Sequence, residues 1–152
     1  MHSVLYEIIL RMLESFRQRL FGKSASPTGD RAERGRFGER EAGKFLKKQK
    51  GHRILVRNWR AGKDEIDLVT KSGDVIVFVE VRSRQSTAKV SGYSSVTQAK
   101  KKCLLRVCQA YLRALRPRPA HFRFDIVEVR LGNDGEFSIH HFENVPLFPK
   151  NN

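Results

Sequence analysis

Residues 64–84 read DEIDLVTKSGDVIVFVEVRSR and set acidic side chains among residues suited to burial. A buried carboxylate is costly unless something neutralises it. Taking Ser72-Gly73 as a hairpin loop, Lys71 pairs with Asp74, Leu68 with Val77, Asp67 with Phe78 and Glu65 with Glu80. Side chains alternate along a strand and paired residues share a face, so Glu65, Asp67, Glu80 and Arg82 project together. Asp67 is then diagonal to Glu80, about 7–8 Å away between backbones, within reach of one shared ion. Two readings stay open at this point. In one, a divalent cation sits between the carboxylates, its shell completed by water and substrate phosphate oxygens. In the other, Arg82 neutralises Glu80 and Glu65 in a salt-bridge cluster.

The rest of the chain supplies the surroundings. A length of 152 residues suits one domain, and 39% hydrophobic with 30% charged residues describes a globular chain rather than a disordered one. The formal net charge of +14 attracts polyanions, meaning nucleic acid or an anionic membrane face. Between Val81 and Phe124 there are eleven Lys or Arg and no Asp or Glu, a pattern suited to a track for phosphates. Cys103 and Cys108 are five apart on a helical segment and point to different faces. They read as small apolar side chains of a reducing compartment, hence a cytoplasmic protein, and not as a metal or redox motif. The histidines lack HExxH spacing, and the adjacent His140 and His141 face opposite ways on a strand.

Residues 3–21 carry an apolar stripe through Val4, Leu5, Ile8, Ile9, Met12, Leu13, Phe16, Leu20 and Phe21, with charges off it, which predicts an amphipathic helix. Those charges exclude a spanning helix, so no stable membrane insertion is expected. GKSASPTGD (22–30) reads as a linker, giving an N-terminal segment over 1–34 and a body over 35–148. In the body, GRFGEREAGKFLKKQ predicts a helix burying Phe37, Ala42, Phe45 and Leu46. Strands are expected over 52–60, 64–70 and 74–82, then a long helix over about 96–116, then strands over 123–130 and 136–142. That order predicts an α/β protein with a mixed sheet and helices against it.

An acid on one strand followed by Glu-x-basic on the next resembles the PD-(D/E)XK nuclease arrangement. More closely, the body resembles the bacterial YraN-like family, an uncharacterised group assigned to the restriction-endonuclease-like fold. The matching pieces are GRFGEREAGKFL (35–46), RILVRNWR (53–60), DEIDLV (64–69), VFVEVRSR (77–84), VTQAKKKCLLRVCQAYL (96–112) and RFDIVEV (123–129), in the expected order. The resemblance implies a Mg²⁺- or Mn²⁺-dependent nuclease acting on DNA; whether its substrates are branched or single-stranded structures stays open. Asp67 and Glu80 fall on its metal-binding acids. Glu39 falls on an acidic position that holds the metal through a water. Arg82 stands where such nucleases place a lysine, and Lys100 and Gln98 match polar positions at the start of the helix after the active strand; with Arg84, Lys101 and Lys102 of the basic segment they are expected to meet nucleic acid. Asp125 is a recurring family position, read as a structural partner of Arg123. A homodimer is left open.

Two departures bear on activity. Asp64 adds an acid where the family usually has glycine. Arg82 stays protonated, so it serves as a fixed charge and hydrogen-bond fork but not as a proton acceptor. The alternative expectation is therefore a nucleic-acid-binding protein of the same fold whose catalytic centre has decayed.

Overall fold

The computed structural model describes residues 20–23, 30–88, 91, 93–133 and 135–148. One helix, α1 (Arg31–Gln49), precedes the strands β2 (Arg53–Ala61), β3 (Asp64–Ser72) and β4 (Val75–Gln85). A second helix, α2 (Gln98–Ala114), leads to β5 (His121–Leu131) and β6 (Glu136–Phe142), and a short strand β1 (Leu20–Lys23) comes first in the chain. The six strands form one sheet in the order β1-β6-β5-β4-β3-β2. Neighbours are antiparallel except β4 and β5, which run parallel because α2 carries the chain across between them. The α/β class and the mixed sheet flanked by helices are thus as the sequence indicates.

The sheet separates two cores. Central β4 buries Ile76, Val77, Phe78 and Val79 in succession, as a strand covered on both faces must. Val77 and Val79 pack with Phe37, Ala42, Phe45 and Leu46 of α1, whereas Ile76 and Phe78 pack with Leu104, Val107, Cys108 and Leu112 of α2. At Gly38 an added Cβ would meet Ser83 Oγ at 1.7 Å, so α1 crosses β4 at a distance that suits glycine. This close crossing brings α1, at Gly38, against Val81 and Ser83 of β4.

Several expectations need correcting. Leu20 and Phe21 belong to β1, paired with Ile139 and Ser138 of β6, and not to a helix; Gly22 and Lys23 continue that strand instead of starting a linker. The rest of the proposed N-terminal helix lies outside the described residues. Helix α1 begins at Arg31, ahead of Gly35, because Asp30 caps it by accepting the Glu33 N–H at 2.8 Å. The β3–β4 hairpin turns at Gly73-Asp74, with Ser72 opposite Val75 and Lys71 opposite Ile76. Its first loop residue has φ +56°, which glycine supplies and serine does not. Every pairing therefore shifts by two residues, an even number, so Asp67, Glu80 and Arg82 keep their common face; Glu65 does not, because β3 changes its alternation between Ile66 and Leu68.

On the α1 side, Asp125 is fully buried and ties β5 to β6. It accepts hydrogen bonds from Arg123 Nε at 3.0 Å, from the His141 ring at 2.8 Å and from the Asn144 N–H at 2.8 Å. Glu143 continues the network to Lys50 at 3.0 Å and Arg123 at 3.1 Å. Burial alone would raise the Asp125 pKa; the His141 and Arg123 hydrogen bonds outweigh it and leave the carboxyl below its usual range. The expected pairing with Arg123 is present.

Asp125→Ala is expected to destabilise the fold by about 3–5 kcal/mol at pH 7, since it strands buried partners. Because the folded pKa is depressed, that difference should be full above about pH 4 and shrink as pH falls through the folded value. Urea unfolding of both proteins at pH 7 and pH 3 measures it; equal midpoints at pH 7 would remove the structural role.

Candidate active site

The pairing Leu68–Val79 is the last of the β3–β4 ladder, and the next position sets Asp67 directly opposite Glu80 rather than diagonal to it. There the ladder gives way to a side-chain bond: Asp67 Oδ2 accepts the Val81 N–H at 2.7 Å. At this level β3 and its other neighbour β2 change their side-chain alternation, while β4 keeps its own. Ile66 packs in the α2-side core and Leu68, two residues on, in the α1-side core. On β2, Val56 and Trp59 share the α2-side core although three residues apart. Between them Asn58 has φ +49°, a left-handed conformation rare outside glycine but tolerated best by Asn and Asp.

Glu80 is 2% exposed, and its two oxygens differ. Oε1 faces Lys100 Nζ at 3.3 Å and Arg82 Nη1 at 3.5 Å. Oε2 is buried without a hydrogen-bond partner. Burial raises the Glu80 pKa, opposed chiefly by Lys100 and then Arg82. Asp67 is pushed up to about 8, first by burial and next by the Glu80 charge, with Glu39 adding to the rise. Two carboxylates facing each other in a poorly solvated site resist ionising together.

The sequence-predicted residues divide into those that meet and those that do not. Asp67, Glu80, Arg82 and Lys100 converge. Lys100 reaches Glu80 because Thr97 caps α2, accepting the Lys100 N–H at 3.2 Å, and so fixes where the first turn begins. Arg82 is steadied on its other side by Ser95, whose Oγ accepts from Nε at 3.3 Å. Glu39 is joined to the group through Asn58: with its amide nitrogen as donor, Asn58 lies 3.2 Å from Glu39 Oε2 and 3.2 Å from the Asp67 carbonyl. Arg84 lies two residues beyond Arg82 on β4, its Nε buried and unpartnered. Gln98 and Lys102 are exposed and Lys101 half-buried on the first turn of α2, outside the carboxylate cluster. Glu65, expected among the facing acids, instead binds Arg60 across the β2–β3 ladder at 2.6 Å.

Asn58 and Ser95 are the members that sequence reasoning missed. The signal for Asn58 was available, since Asn is disfavoured inside a strand such as RILVRNWRA unless the backbone departs from it. Ser95 carries no such mark.

Among the described residues, no three His, Cys, Asp or Glu side chains form a metal-binding cluster. Asp67 and Glu80 nevertheless fit a hard divalent cation in two respects. Their mutual repulsion is what a cation would relieve, and the unpartnered Glu80 Oε2 is an oxygen ligand in waiting. Protein side chains would fill only part of the shell, leaving the remainder to water and phosphate oxygens.

The model of the Uncharacterised protein family UPF0102 matches residues 38–129. A UPF0102 protein of Symbiobacterium thermophilum is 40% identical over 110 residues, covering 72% of this chain and 92% of that protein. Another, from Herpetosiphon aurantiacus, is 34% identical over 122 residues, covering 78% and 97%. Among solved structures, Pyrococcus furiosus SfsA in complex with Ca²⁺ aligns at a TM-score of 0.36 and 18% identity, over 75% of this chain and 64% of that one. The UPF0102 family model, over residues 38–129, spans every residue of the cluster from Glu39 to Lys100.

The raised Asp67 pKa has a thermodynamic consequence. The folded chain holds this proton to higher pH than the unfolded chain does, so the contribution is full below about pH 4 and lost as pH rises towards 8. Asp67→Asn keeps an oxygen for the Val81 N–H and removes the charge. In EDTA at pH 8 it should be more stable than wild type by about 2–4 kcal/mol, converging with it near pH 4. Millimolar Mn²⁺ should raise the wild-type melting temperature at pH 8 and leave that of the variant in place. Parallel pH profiles for the two proteins would sink the repulsion account.

Proposed function

The chain belongs to the Uncharacterised protein family UPF0102, and from that premise we propose that it is a metal-dependent phosphodiesterase that cleaves DNA. The observation that carries the reading is the buried pair Asp67–Glu80, with one unpartnered oxygen and two cations on the other. Asp67 and Glu80 would hold Mg²⁺ or Mn²⁺, which when bound supplies Lewis-acid polarisation of a phosphoryl oxygen and a more acidic water.

The remaining roles belong to the chain's own groups. Lys100 spends one donor on Glu80 and has two others for a phosphate or an incoming water. Arg82, held between Glu80 and Ser95, is a fixed positive fork that stabilises charge developing on the phosphoryl oxygens. Its missing capacity to accept a proton is therefore no obstacle, since the role assigned to it is electrostatic. Lys101 and Lys102 stand at the positive end of the α2 dipole, and Arg84 extends the basic run along β4; together they grip flanking backbone. No helix among the described residues is long and apolar enough to cross a membrane. Free cysteines suit work in a reducing cytoplasm. A homodimer would present two such sites to a branched substrate.

A second reading is favoured by the basic residue itself. Arg82 replaces the lysine of the E-x-K element and is already engaged by Glu80 and Ser95, as in a nucleic-acid-binding protein whose chemistry has been lost. Against it stands the whole carboxylate arrangement, which has no purpose in a binder and raises the energy of the fold.

End-labelled duplex, forked and four-way-junction DNA, incubated with Mg²⁺, Mn²⁺ or EDTA at low salt, separates the two. Wild type should give metal-dependent products, and Asp67→Ala none, with DNA affinity within about threefold of wild type. Lys100→Ala should lower the rate by about 10²-fold, the loss typical of one transition-state donor, and Arg82→Lys should remain active. DNA retarded but uncut in every arm would establish the binder instead.

A further inference from the structure

Asn58 is unusual on three independent counts. It lies inside β2 yet has φ +49°, a conformation that persists in a strand only when its surroundings fix it. It stands opposite Asp67, at the level where β2 and β3 both change their alternation. Its amide nitrogen reaches two acceptors, Glu39 Oε2 and the Asp67 carbonyl, each at 3.2 Å. One of those acceptors belongs to α1 and the other to the strand that carries the first candidate metal acid.

The neighbouring residue makes the same connection. Arg57 Nη1 lies 3.5 Å from the Glu39 carbonyl, and an added Cβ at Gly43 would meet the Arg57 guanidinium at 2.5 Å. Arg57 therefore lies against α1 and holds the helix to β2, while Asn58 holds the Glu39 side chain. Without that bond a half-exposed glutamate in the third turn of a helix would turn to water, away from the neighbouring carboxyl groups.

We propose that Asn58 is a positioning residue, which draws Glu39 in beside the Asp67–Glu80 pair and makes it the third acidic member of the metal-binding site. The left-handed backbone aims the amide; the amide holds the carboxylate. Glu39 then acts from outside the direct ligand set, as an acceptor for a cation-bound water, and Asn58 acts only through Glu39. This role rests on the phosphodiesterase reading above.

The test is a four-protein cycle of wild type, Asn58→Gly, Glu39→Gln and the double variant. Glycine takes φ +49° without strain, so the first change removes the amide and keeps the backbone. Each single variant should weaken Mn²⁺ binding in titration calorimetry by about tenfold, the scale of lost outer partners of a metal site. The double variant should be no weaker than either single, because one interaction is removed twice. On a cleavable DNA, both single variants should lower kcat and leave KM close to wild type. Unchanged Mn²⁺ affinity in Asn58→Gly, or losses that multiply in the double variant, would overturn the proposal. So would a loss in Asn58→Gly with none in Glu39→Gln, since Asn58 would then act through Asp67 alone. Wild type that takes up no Mn²⁺ is a separate outcome, which removes the metal-dependent reading and this role with it.

Discussion

The repulsion between Asp67 and Glu80 is the constraint around which this end of the sheet is organised. The β3–β4 ladder stops at Leu68–Val79, and the hydrogen-bonding capacity beyond it passes to the Asp67 carboxylate through the Val81 N–H. A sheet built only for stability would continue the ladder and place apolar pairs there. Instead, β2 bulges between Ile54 and Val56 and adopts a left-handed residue at Asn58, and β3 reverses its alternation at the same level. These departures accompany a group of polar side chains set among the buried apolar residues Ile66, Phe78 and Val79 of the same strands.

The opposite face explains how the sheet tolerates that opening. Asp125 lies in the ladder beside Val79, one strand away from the hairpin, but points to the α1 side. Its charge is matched by Arg123 and by the His141 and Asn144 donors, so its pKa falls where those of Asp67 and Glu80 rise. Two buried carboxylate groups thus lie on opposite faces of neighbouring strands in opposite electrostatic states. One is saturated with donors and fastens β5, β6 and the following segment. The other is left with an unsatisfied oxygen, the condition in which a ligand has something to gain. The contrast separates structural acid from candidate site more sharply than burial does, since both groups are buried.

Much of this was legible because it depends on parity and period. The α1 face followed from Phe37, Ala42, Phe45 and Leu46 at helical spacing, and all four are buried. The hairpin register differs by two residues from the expected one, yet Asp67 and Glu80 keep their common face because alternation has period two. An error of one would have lost the site. What escaped detection depends on tertiary partners. A four-residue edge strand such as β1 takes its identity from pairing with β6, and its apolar residues fitted a helical stripe equally well. The reach of Lys100 depends on where Thr97 starts α2, and Glu65 left the acidic face because β3 changes its alternation between Ile66 and Leu68, which sets it beside Arg60 instead.

The replacement of lysine by Arg82 looks damaging when β4 is considered alone and less so in the folded molecule. Arginine cannot give up its proton, but the site does not rely on a single basic side chain. Lys100 comes from the opposite element, a helix start, and meets the same oxygen of Glu80 that Arg82 does. Both cations therefore sit on Oε1, and Oε2 is left free of them. A carboxylate divided in this way has one oxygen engaged by positive side chains and the other open to a metal ion. The arginine supplies a charge that is independent of pH, and the lysine supplies a smaller and more mobile donor beside it. Under the phosphodiesterase proposal, those two duties are divided between a strand and a helix, and an arginine on β4 is then compatible with the chemistry, because that proposal asks for the pair of functions and not for their location on one side chain.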